Sequence, residues 1–260
     1  MATFLFDEII FGPITSRRLG ASLGINLLPT NAKVCNFNCI YCECGWNEKD
    51  KEKQKQKLPD RMRIKADLEK KLKMMFEQRE PLDVITFAGN GEPTMHSEFS
   101  AIIDDTLKAR DSFYPEAKVA VLSNATMLHK PTVVEALRKV EQPILKLDSA
   151  FDSTLKLLNM PPAGFSVEKV VKQMEAFEGN FILQTLFVQG IYEDQPVDNA
   201  SEKELDAWYR IVERLHPREV MIYTIARDTP AEKLEKTPAQ KLDQIADKLR
   251  SMGIKVQVSY

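Results

Sequence analysis

The chain has 260 residues, 36 Lys and Arg against 38 Asp and Glu, a formal net charge of −2 and a hydrophobic content of 43%. These values are typical of a globular protein and exclude a disordered or collagen-like chain. No window approaches ~18 consecutive apolar residues, so no membrane span is expected. The first residues, MATFLFDEIIFG, have two acids and no basic segment, which argues against a secretory signal and favours a cytoplasmic protein.

The first predicted element is a strand over residues 20–28, which leads into the most informative segment of the chain. All four cysteines fall within ten residues of that segment: Cys35, Cys39, Cys42 and Cys44. A disulfide framework scatters its cysteines to tie distant segments together and is typical of small secreted domains. Clustered cysteines in a chain of this length instead indicate metal binding or catalysis.

The first three cysteines have the spacing C-x3-C-x2-C, so one short loop can present three thiolates to one centre. Thiolates are soft ligands that favour iron–sulfur clusters or zinc. Two alternatives stay open. One is a structural zinc site that uses all four cysteines, although such sites usually have two short pairs separated by a longer loop. The other is a four-cysteine iron–sulfur centre for electron transfer.

Cys44 is the uncertain member of the group. It lies only two residues after Cys42, so the two side chains are not expected to converge on one centre. We predict that Cys44 is not a ligand. A cluster held by three protein ligands leaves one iron open, and an open position is a catalytic feature of metal sites.

Helices and strands alternate along the rest of the chain. Residues 46–59 are rich in charge and are predicted to be a solvent-exposed loop. Apolar residues at helical spacing predict helices at residues 62–79, 97–110, 130–139, 166–178, 201–215 and 238–251. Short runs of strand formers predict strands at residues 83–88, 118–122, 143–147, 181–188, 219–225 and 254–258. Ser166 is a predicted N-cap, and Ser201 with Glu204 matches a capping box.

This alternation predicts parallel strands joined by helical crossovers. About six βα units are fewer than the eight of a closed barrel. The predicted fold class is therefore α/β, a partial (β/α)6 barrel of parallel strands. Without repeats or a Gly/Ser linker, the sequence predicts a single domain over residues 1–260, with the cysteine loop at 35–44 and the barrel at roughly 20–258.

Polar residues follow the predicted strands, at the edge where folds of this kind bind ligands. They are Gly89, Asn90, Gly91, Glu92, Ser123, Asn124, Lys146, Asp148, Ser149, Gln184, Thr185, Tyr223 and Thr224, with Arg227 and Asp228 just beyond. Each of these residues could instead have a purely structural role. The glycines could form a tight turn, Asn124 could cap a turn, and Lys146 and Asp148 could pair with each other inside the barrel. Five polar strand ends together indicate a ligand-binding mouth.

The cysteine loop, with the aromatic Tyr41 directly before Cys42, resembles the signature of the radical S-adenosylmethionine (radical SAM) superfamily. Segments 11–20, 22–26 and 87–94 resemble the branch that includes wyosine-synthetase-like Fe–S oxidoreductases. The resemblance covers most of the chain and implies the same partial (β/α)6 barrel.

The resemblance also implies two cofactors and the residues that bind them. Cys35, Cys39 and Cys42 would ligate three irons of a [4Fe-4S] cluster, and the amino and carboxylate groups of S-adenosylmethionine would chelate the fourth. The segment from Gly89 to Glu92 resembles the Gly-Gly-Glu segment that receives the methionine amino group, with Asn90 as a departure from that pattern. The other residues implied to bind S-adenosylmethionine are Tyr41, beside the adenine, and Ser123, Asn124, Asp148 and Gln184, near the ribose or carboxylate.

A radical SAM enzyme cleaves S-adenosylmethionine reductively to a 5′-deoxyadenosyl radical, which abstracts hydrogen from a substrate. The resemblance therefore implies an electron donor such as a flavodoxin or ferredoxin as a partner. The alternative function is an iron–sulfur or zinc module for binding or electron transfer without radical chemistry. The Gly-Glu-Pro segment and the polar strand ends favour the enzyme.

Several substrate classes are compatible with such an enzyme. The resemblance suggests a tRNA base, but the four cysteines cannot supply the second cluster expected of wyosine synthetases. The net charge of −2 also lacks the basic surface that RNA binding generally uses. A peptide, a protein or a small metabolite is therefore favoured over a nucleic acid. Arg17 and Arg18 could hold an anionic group of substrate or cofactor, or form surface salt bridges.

Overall fold

A curled sheet of mostly parallel strands forms the centre of the molecule. A computed structural model of the chain describes residues 4–16, 19–47 and 57–260. The strands within them are β1 (Ile10–Ser16), β2 (Gly20–Ile25), β3 (Val84–Phe87), β4 (Lys118–Ser123), β5 (Gln142–Lys146), β6 (Ile182–Leu186), β7 (Val188–Tyr192), β8 (Gln195–Asp198), β9 (Glu219–Tyr223), β10 (Leu234–Lys236) and β11 (Lys255–Ser259). The main sheet has the order β1-β2-β3-β4-β5-β6-β9-β11. Every neighbouring pair from β2 onward is parallel, and β1 pairs antiparallel with β2.

Helices cover the outer face of this sheet. They are α1 (Arg61–Glu77), α2 (Phe99–Phe113), α3 (Pro131–Lys139), α4 (Asp152–Leu158), α5 (Val167–Met174), α6 (Glu202–Leu215) and α7 (Ala239–Ser251). The amphipathic pattern explains how they pack, since α1 buries Ile64, Leu68, Leu72 and Met75, which recur every three or four residues. These side chains belong to one large core that also includes outward-facing strand residues such as Ile85.

The predicted fold class is confirmed, because the strands and helices alternate in chain order around the curled sheet. The six predicted helices form, and their ends lie within three residues of the predicted ends when the 3-10 turn at Glu175–Phe177 is counted with α5. The structure adds β1, β8, β10 and α4, which have no equivalent among the predicted elements. It also divides the predicted strand 181–188, because β6 ends at Leu186 and β7 begins at Val188.

A second, three-stranded sheet occupies the segment after that division. Its order is β10-β7-β8, and both pairs are antiparallel. Val188 and Val197 of this sheet belong to the same buried cluster as Phe37 and Ile40 of the cysteine loop. The small sheet therefore supports the cysteine loop from one side.

The capping box predicted at the start of α6 is wrong, whereas the predicted cap of α5 is confirmed. Ser201 occupies the N-cap position but makes no side-chain capping bond. The Glu204 carboxylate instead accepts hydrogen bonds from Ser149 Oγ at 2.6 Å and Thr154 Oγ1 at 2.5 Å. A buried carboxylate gains more from two hydroxyl donors than from one backbone amide at a solvated helix end. The Ser166 side chain accepts from the Lys169 amide, as predicted.

Arg17 and Arg18 lie outside the described residues, as does most of the predicted charged loop at 46–59. Among the residues that the structure describes, every helix is too short or too polar to cross a membrane.

Candidate functional site

The interior of the curled sheet has a closed end and an open end. Side chains alternate along a strand, so residues two apart form successive layers inside the barrel. The first layer, at the amino ends of the strands, is a buried apolar plug of Val84, Ala120, Ile144, Ile182 and Met221. Two residues further along, the same face carries Leu122, Lys146, Gln184 and Tyr223.

A cavity of about 310 Å³ lies above the plug, toward the carboxyl ends of the strands. Its walls contain the cysteine loop, the segment after β3 and the ends of β4, β5, β6 and β9. A larger groove of about 760 Å³ lies on the outer surface beside α1 and is not lined by any of the four cysteines. The inner cavity therefore coincides with the ligand-binding mouth that the sequence predicts.

The cysteine loop follows β2, and Cys35, Cys39, Cys42 and Cys44 all line the cavity. Backbone hydrogen bonds fix the loop, including Ile40 N to Leu158 O at 2.9 Å. The Asn47 amide group adds bonds to the carbonyl oxygens of Cys35 at 2.9 Å and of Phe37 at 3.0 Å. The thiols are thus presented by a loop whose backbone is held on two sides.

Three of the thiols have a side-chain nitrogen as a neighbour. Asn124 Nδ2 lies 3.6 Å from Cys35 Sγ, and Asn159 Nδ2 lies 3.2 Å from Cys39 Sγ. The Lys33 ammonium bonds to Gly45 O at 2.8 Å, next to the turn in which Gly45 N bonds to Cys42 O at 2.8 Å, and its charge lowers the pKa of Cys42. Two of these nitrogens, on Lys33 and Asn159, belong to side chains that the sequence analysis did not single out.

The thiols differ in acidity because their surroundings differ. Burial raises the pKa of Cys35 and of Cys39 above the usual range for a thiol. A hydrogen bond from Cys44, followed by the charge of Lys33, lowers the pKa of Cys42 to about 6 against the effect of burial. The same hydrogen bond raises the pKa of Cys44, which also contacts Gly89 O at 3.5 Å. Cys44 therefore acts as a hydrogen-bond donor to Cys42. That Cys44 is not a ligand of the metal centre stays a prediction.

Backbone geometry explains the two glycines of the segment after β3. Gly91 has a φ of +139°, and a Cβ there would lie 1.8 Å from the Val34 carbonyl oxygen. Val34 and Gly91 form a parallel bridge, with Val34 N bonded to Asn90 O at 2.8 Å. A Cβ on Gly89 would lie 2.3 Å from Asn26 Oδ1. The glycines therefore allow the cysteine loop and the end of β3 to meet backbone to backbone.

The side chain of Asn90 lies beneath this junction and does not line the cavity. It is fully buried, and its Oδ1 accepts from Phe6 N at 2.8 Å. Its Nδ2 donates to Phe6 O at 2.9 Å and to Pro29 O at 2.8 Å. Asn90 therefore fixes the amino-terminal segment, which places Phe6 in the cavity wall.

We expect Asn90→Ala to lower the free energy of unfolding by about 2–4 kcal/mol, because it leaves buried groups of Phe6 and Pro29 unpaired. Urea denaturation measures this difference. Asn180→Ala is a matched control, since Asn180 accepts one exposed hydrogen bond from Arg218 and should cost at most about 0.5 kcal/mol. Equal losses in the two variants would contradict the role of Asn90.

Glu92 holds the ends of β3 and β4 together. Its carboxylate is 2% exposed and accepts from Ser123 Oγ at 2.9 Å and from Asn124 N at 2.7 Å. It also accepts from the amide and hydroxyl of Thr94. Burial raises the pKa of Glu92 although all of these hydrogen bonds oppose the shift. Glu92 thus orients Ser123 and Asn124 at the cavity wall.

A buried polar network lies below the cysteine loop. Tyr41 Oη donates to Asp148 Oδ2, and Asn159 Nδ2 bonds to Tyr41 Oη at 2.7 Å and to Asp148 Oδ2 at 2.9 Å. Lys146 Nζ lies 3.2 Å from Asp148 Oδ1 and 2.9 Å from Tyr223 Oη. Lys146 and Asp148 do pair inside the barrel, the alternative that the sequence left open.

The charges in this network stabilise each other. Burial alone would lower the pKa of Lys146, but Asp148 holds it above its usual range. Burial and the neighbouring Asp148 raise the pKa of Tyr41 well above that of a free phenol. Asp148 is 1% exposed and does not itself line the cavity, whereas Tyr41 and Lys146 do. Asp148 therefore acts on the cavity through these two side chains.

Gln184 differs from its neighbours because its amide faces the cavity without a partner. Its side chain makes no hydrogen bond to any residue that the structure describes, although the residue is only 5% exposed. A nearly buried amide that lines a cavity is a donor and acceptor for a ligand.

The structure thus brings ten of the twelve residues singled out as ligands to one cavity and leaves the Asn90 and Asp148 side chains behind its wall. The sequence analysis did not predict the contributions of Lys33 and Asn159 to this site. Arg227 lies at the mouth, where it bonds to Glu43 Oε2 at 2.7 Å. Asn159 lies 120 residues from the thiol that it contacts, so no local motif signals the pair.

A curled parallel sheet with a thiol-lined cavity at its carboxyl edge defines a cofactor-binding α/β barrel. Residues 32–195, more than half of the chain, match the family described as the Radical SAM superfamily, and the chain belongs to this superfamily. Members of this superfamily use a [4Fe-4S] cluster to cleave S-adenosylmethionine reductively. The resemblance seen in the sequence is thereby confirmed.

Curated relatives include longer proteins. The chain is 29% identical over 239 residues to the GTPase Obg of Brachyspira hyodysenteriae, which covers 90% of this chain and 32% of that protein. It is 27% identical over 186 residues to a UPF0026 protein of Helicobacter pylori, which covers 70% of this chain and 57% of that protein. The chain therefore spans about a third and somewhat more than half of these two relatives.

Several solved structures share the fold. Streptococcus suis SuiB bound to S-adenosylmethionine has a TM-score of 0.64 at 14% identity and covers 91% of this chain and 50% of SuiB. A radical SAM methyltransferase from Sphaerobacter thermophilus has a TM-score of 0.66 at 14% identity. The match covers 92% of this chain and 66% of the methyltransferase. TYW1 with a lysine–pyruvate adduct bound has a TM-score of 0.56 at 13% identity. The match covers 88% of this chain and 73% of TYW1.

Proposed function

We propose that Cys35, Cys39 and Cys42 ligate the cluster of this radical SAM enzyme and that S-adenosylmethionine binds in the inner cavity. The observation that carries the proposal is that the three thiols line the same cavity as the backbone of Gly89 and Gly91. We also propose that the whole chain acts as one domain, since the plug and the cavity use strands from β3 to β9.

The donor set fits the cluster. Iron–sulfur clusters are held by cysteine thiolates, and three thiols surround one cavity here. Among the described residues, no three His, Cys, Asp or Glu side chains are placed to bind a single metal ion. A cluster is larger than an ion and takes its ligands around its surface. Together with bound S-adenosylmethionine it supplies a 5′-deoxyadenosyl radical for hydrogen abstraction.

The side chains of the cavity have separate tasks in this proposal. The carbonyl oxygens at the glycine junction accept from the ammonium of the methionine moiety, and the Gln184 amide bonds to its polar atoms. Tyr41, held by Asp148 and Asn159, packs beside the adenine. Glu92 and Asn90 position the wall without contacting the ligand.

The substrate class follows from what is left of the cavity. A volume of about 310 Å³ is at the lower end of the range for small-molecule sites, so the cluster and S-adenosylmethionine together fill it. The substrate then contacts the mouth, near Phe6 and the pair of Arg227 and Glu43. We propose that a small metabolite or a peptide side chain reaches this mouth, and that a nucleic acid is disfavoured by the net charge of −2. A flavodoxin or ferredoxin in the cytoplasm would supply the electron.

Anaerobic reconstitution of the full chain with iron and sulfide tests this function. We expect four irons per chain and, after reduction with S-adenosylmethionine, release of methionine and 5′-deoxyadenosine. Chromatography measures both products, and a sample without reductant is the control. Stoichiometric zinc binding without either product would overturn the proposal.

A further inference from the structure

Each of the three proposed ligands has a nitrogen-bearing side chain beside it in the cavity wall or directly behind it. Asn124 serves Cys35 at 3.6 Å and Asn159 serves Cys39 at 3.2 Å. Lys33 bonds to Gly45 O at 2.8 Å, in the turn that follows Cys42, and it lines the same cavity as Cys42. The three donors come from the start of the cysteine loop, the end of β4 and the end of α4, so no single motif accounts for them.

These donors are held in place by the fold. Lys33 is 4% exposed and Asn159 is fully buried. Asn159 Nδ2 is shared with Tyr41 Oη and Asp148 Oδ2, while the Asn124 amide oxygen accepts from Thr126 N at 3.1 Å. The nitrogens therefore cannot turn away from the sulfurs without losing other buried hydrogen bonds.

Lys33 is the unusual member of the set, because a buried ammonium is costly without a compensating charge. It donates to the Gly45 carbonyl oxygen, and no carboxylate lies within salt-bridge distance of it among the described residues. The cavity that Lys33 and Cys42 both line is where a compensating negative charge would lie. A cluster held by three thiolates carries such a charge.

We infer that Lys33, Asn159 and Asn124 raise the reduction potential of the cluster, with Lys33 as the dominant member. The inference rests on the proposed ligation by Cys35, Cys39 and Cys42. Reduction adds one negative charge to the cluster, so donors directed at its sulfurs stabilise the reduced state more than the oxidised state. Lys33 dominates because it contributes a full positive charge at a buried position, where solvent screens little.

The test is an equilibrium redox titration of the reconstituted protein, followed by electron paramagnetic resonance of the reduced cluster. We expect Lys33→Met to shift the midpoint to more negative potential. At the wild-type midpoint the ratio of reduced to oxidised cluster should fall at least about tenfold, which is ~59 mV for one electron. Lys33→Arg keeps the charge and should restore most of the wild-type midpoint.

Lys118→Met is the matched control, since it removes the same charge from an exposed lysine at the amino end of β4, away from the cavity. Its midpoint should equal that of the wild type. Iron content separates this inference from the proposed function. A wild-type protein that binds no cluster contradicts the ligand assignment, whereas Lys33→Met with four irons and an unshifted midpoint overturns the role of Lys33.

Asn124→Ala covers the case in which Lys33→Met does not assemble a cluster. Asn124 is the least buried of the three donors, at 8% exposure, and its bond to sulfur is the longer of the two amide contacts. We expect a smaller shift of the midpoint in the same direction. An unshifted midpoint in a fully loaded Asn124→Ala protein would overturn the inference for the set.

Discussion

Cys39→Ala is expected to abolish the cluster and with it the formation of 5′-deoxyadenosine. Cys39 is the most buried of the proposed ligands, at 9% exposure, and burial raises the pKa of its thiol. A neutral thiol in such surroundings is inert, so a bound metal centre is the partner that would hold this group as a thiolate. Loss of a ligand should exceed the roughly 10–100-fold effect of losing an outer partner of a metal site.

Cys44→Ala is the matched control for this prediction. Both substitutions remove a thiol from the same loop, but the Cys44 sulfur is directed at Gly89 O and at the Cys42 sulfur. Iron and sulfide content, together with product formation, should stay near wild-type levels. Loss of the cluster in Cys44→Ala would contradict the three-ligand assignment and favour a four-cysteine centre.

Gly91→Ala is expected to disrupt the junction between the cysteine loop and β3. A Cβ at this position would lie 1.8 Å from the Val34 carbonyl oxygen, which is backbone and cannot turn aside. The φ of +139° adds strain for any residue other than glycine. Together we expect a loss of about 2–5 kcal/mol in the free energy of unfolding, as measured by urea denaturation, and poor assembly of the cluster.

Gly164→Ala separates backbone strain from the steric contact. Gly164 also has a positive φ, +81°, but a Cβ there would meet no atom within 4 Å. It should cost about 1–2 kcal/mol and leave cluster assembly unchanged. If both variants lose the same stability and both assemble the cluster, the close contact with Val34 has no role.

The cysteine loop and the barrel were predictable because their signals are local. Cys35, Cys39 and Cys42 are neighbours in sequence, and three thiols within eight residues are close together in any fold. The alternation of apolar runs gave the order of strands and helices, since each βα unit packs against its neighbours. The polar residues at the strand ends met in one cavity because parallel strands end at the same edge.

The direction of individual side chains was less predictable. Asn90 occupies the middle of the glycine segment, and nothing local shows that its amide pairs with Phe6, 84 residues away. Asp148 was predicted to contact S-adenosylmethionine, yet its carboxylate is bound by Tyr41, Lys146 and Asn159 behind the wall. Such choices depend on which buried groups need partners after the chain has folded.

The β7–β8 hairpin escaped prediction for a different reason. Its strands contain Gly190 and Pro196, residue types that weaken a strand pattern. The hairpin is stabilised by contacts with the cysteine loop, through a cluster that includes Phe37, Val188 and Val197. Tertiary packing of this kind outweighs local propensity.

The apolar plug has a kinetic consequence. Because Ile144, Ile182 and their neighbours close the barrel at the amino ends of the strands, the part of the chain that the structure describes leaves the carboxyl end as the way into and out of the cavity. A molecule bound at the mouth then blocks the exit of whatever lies deeper. Binding should therefore be ordered, with S-adenosylmethionine entering before the substrate and methionine and 5′-deoxyadenosine leaving after the product.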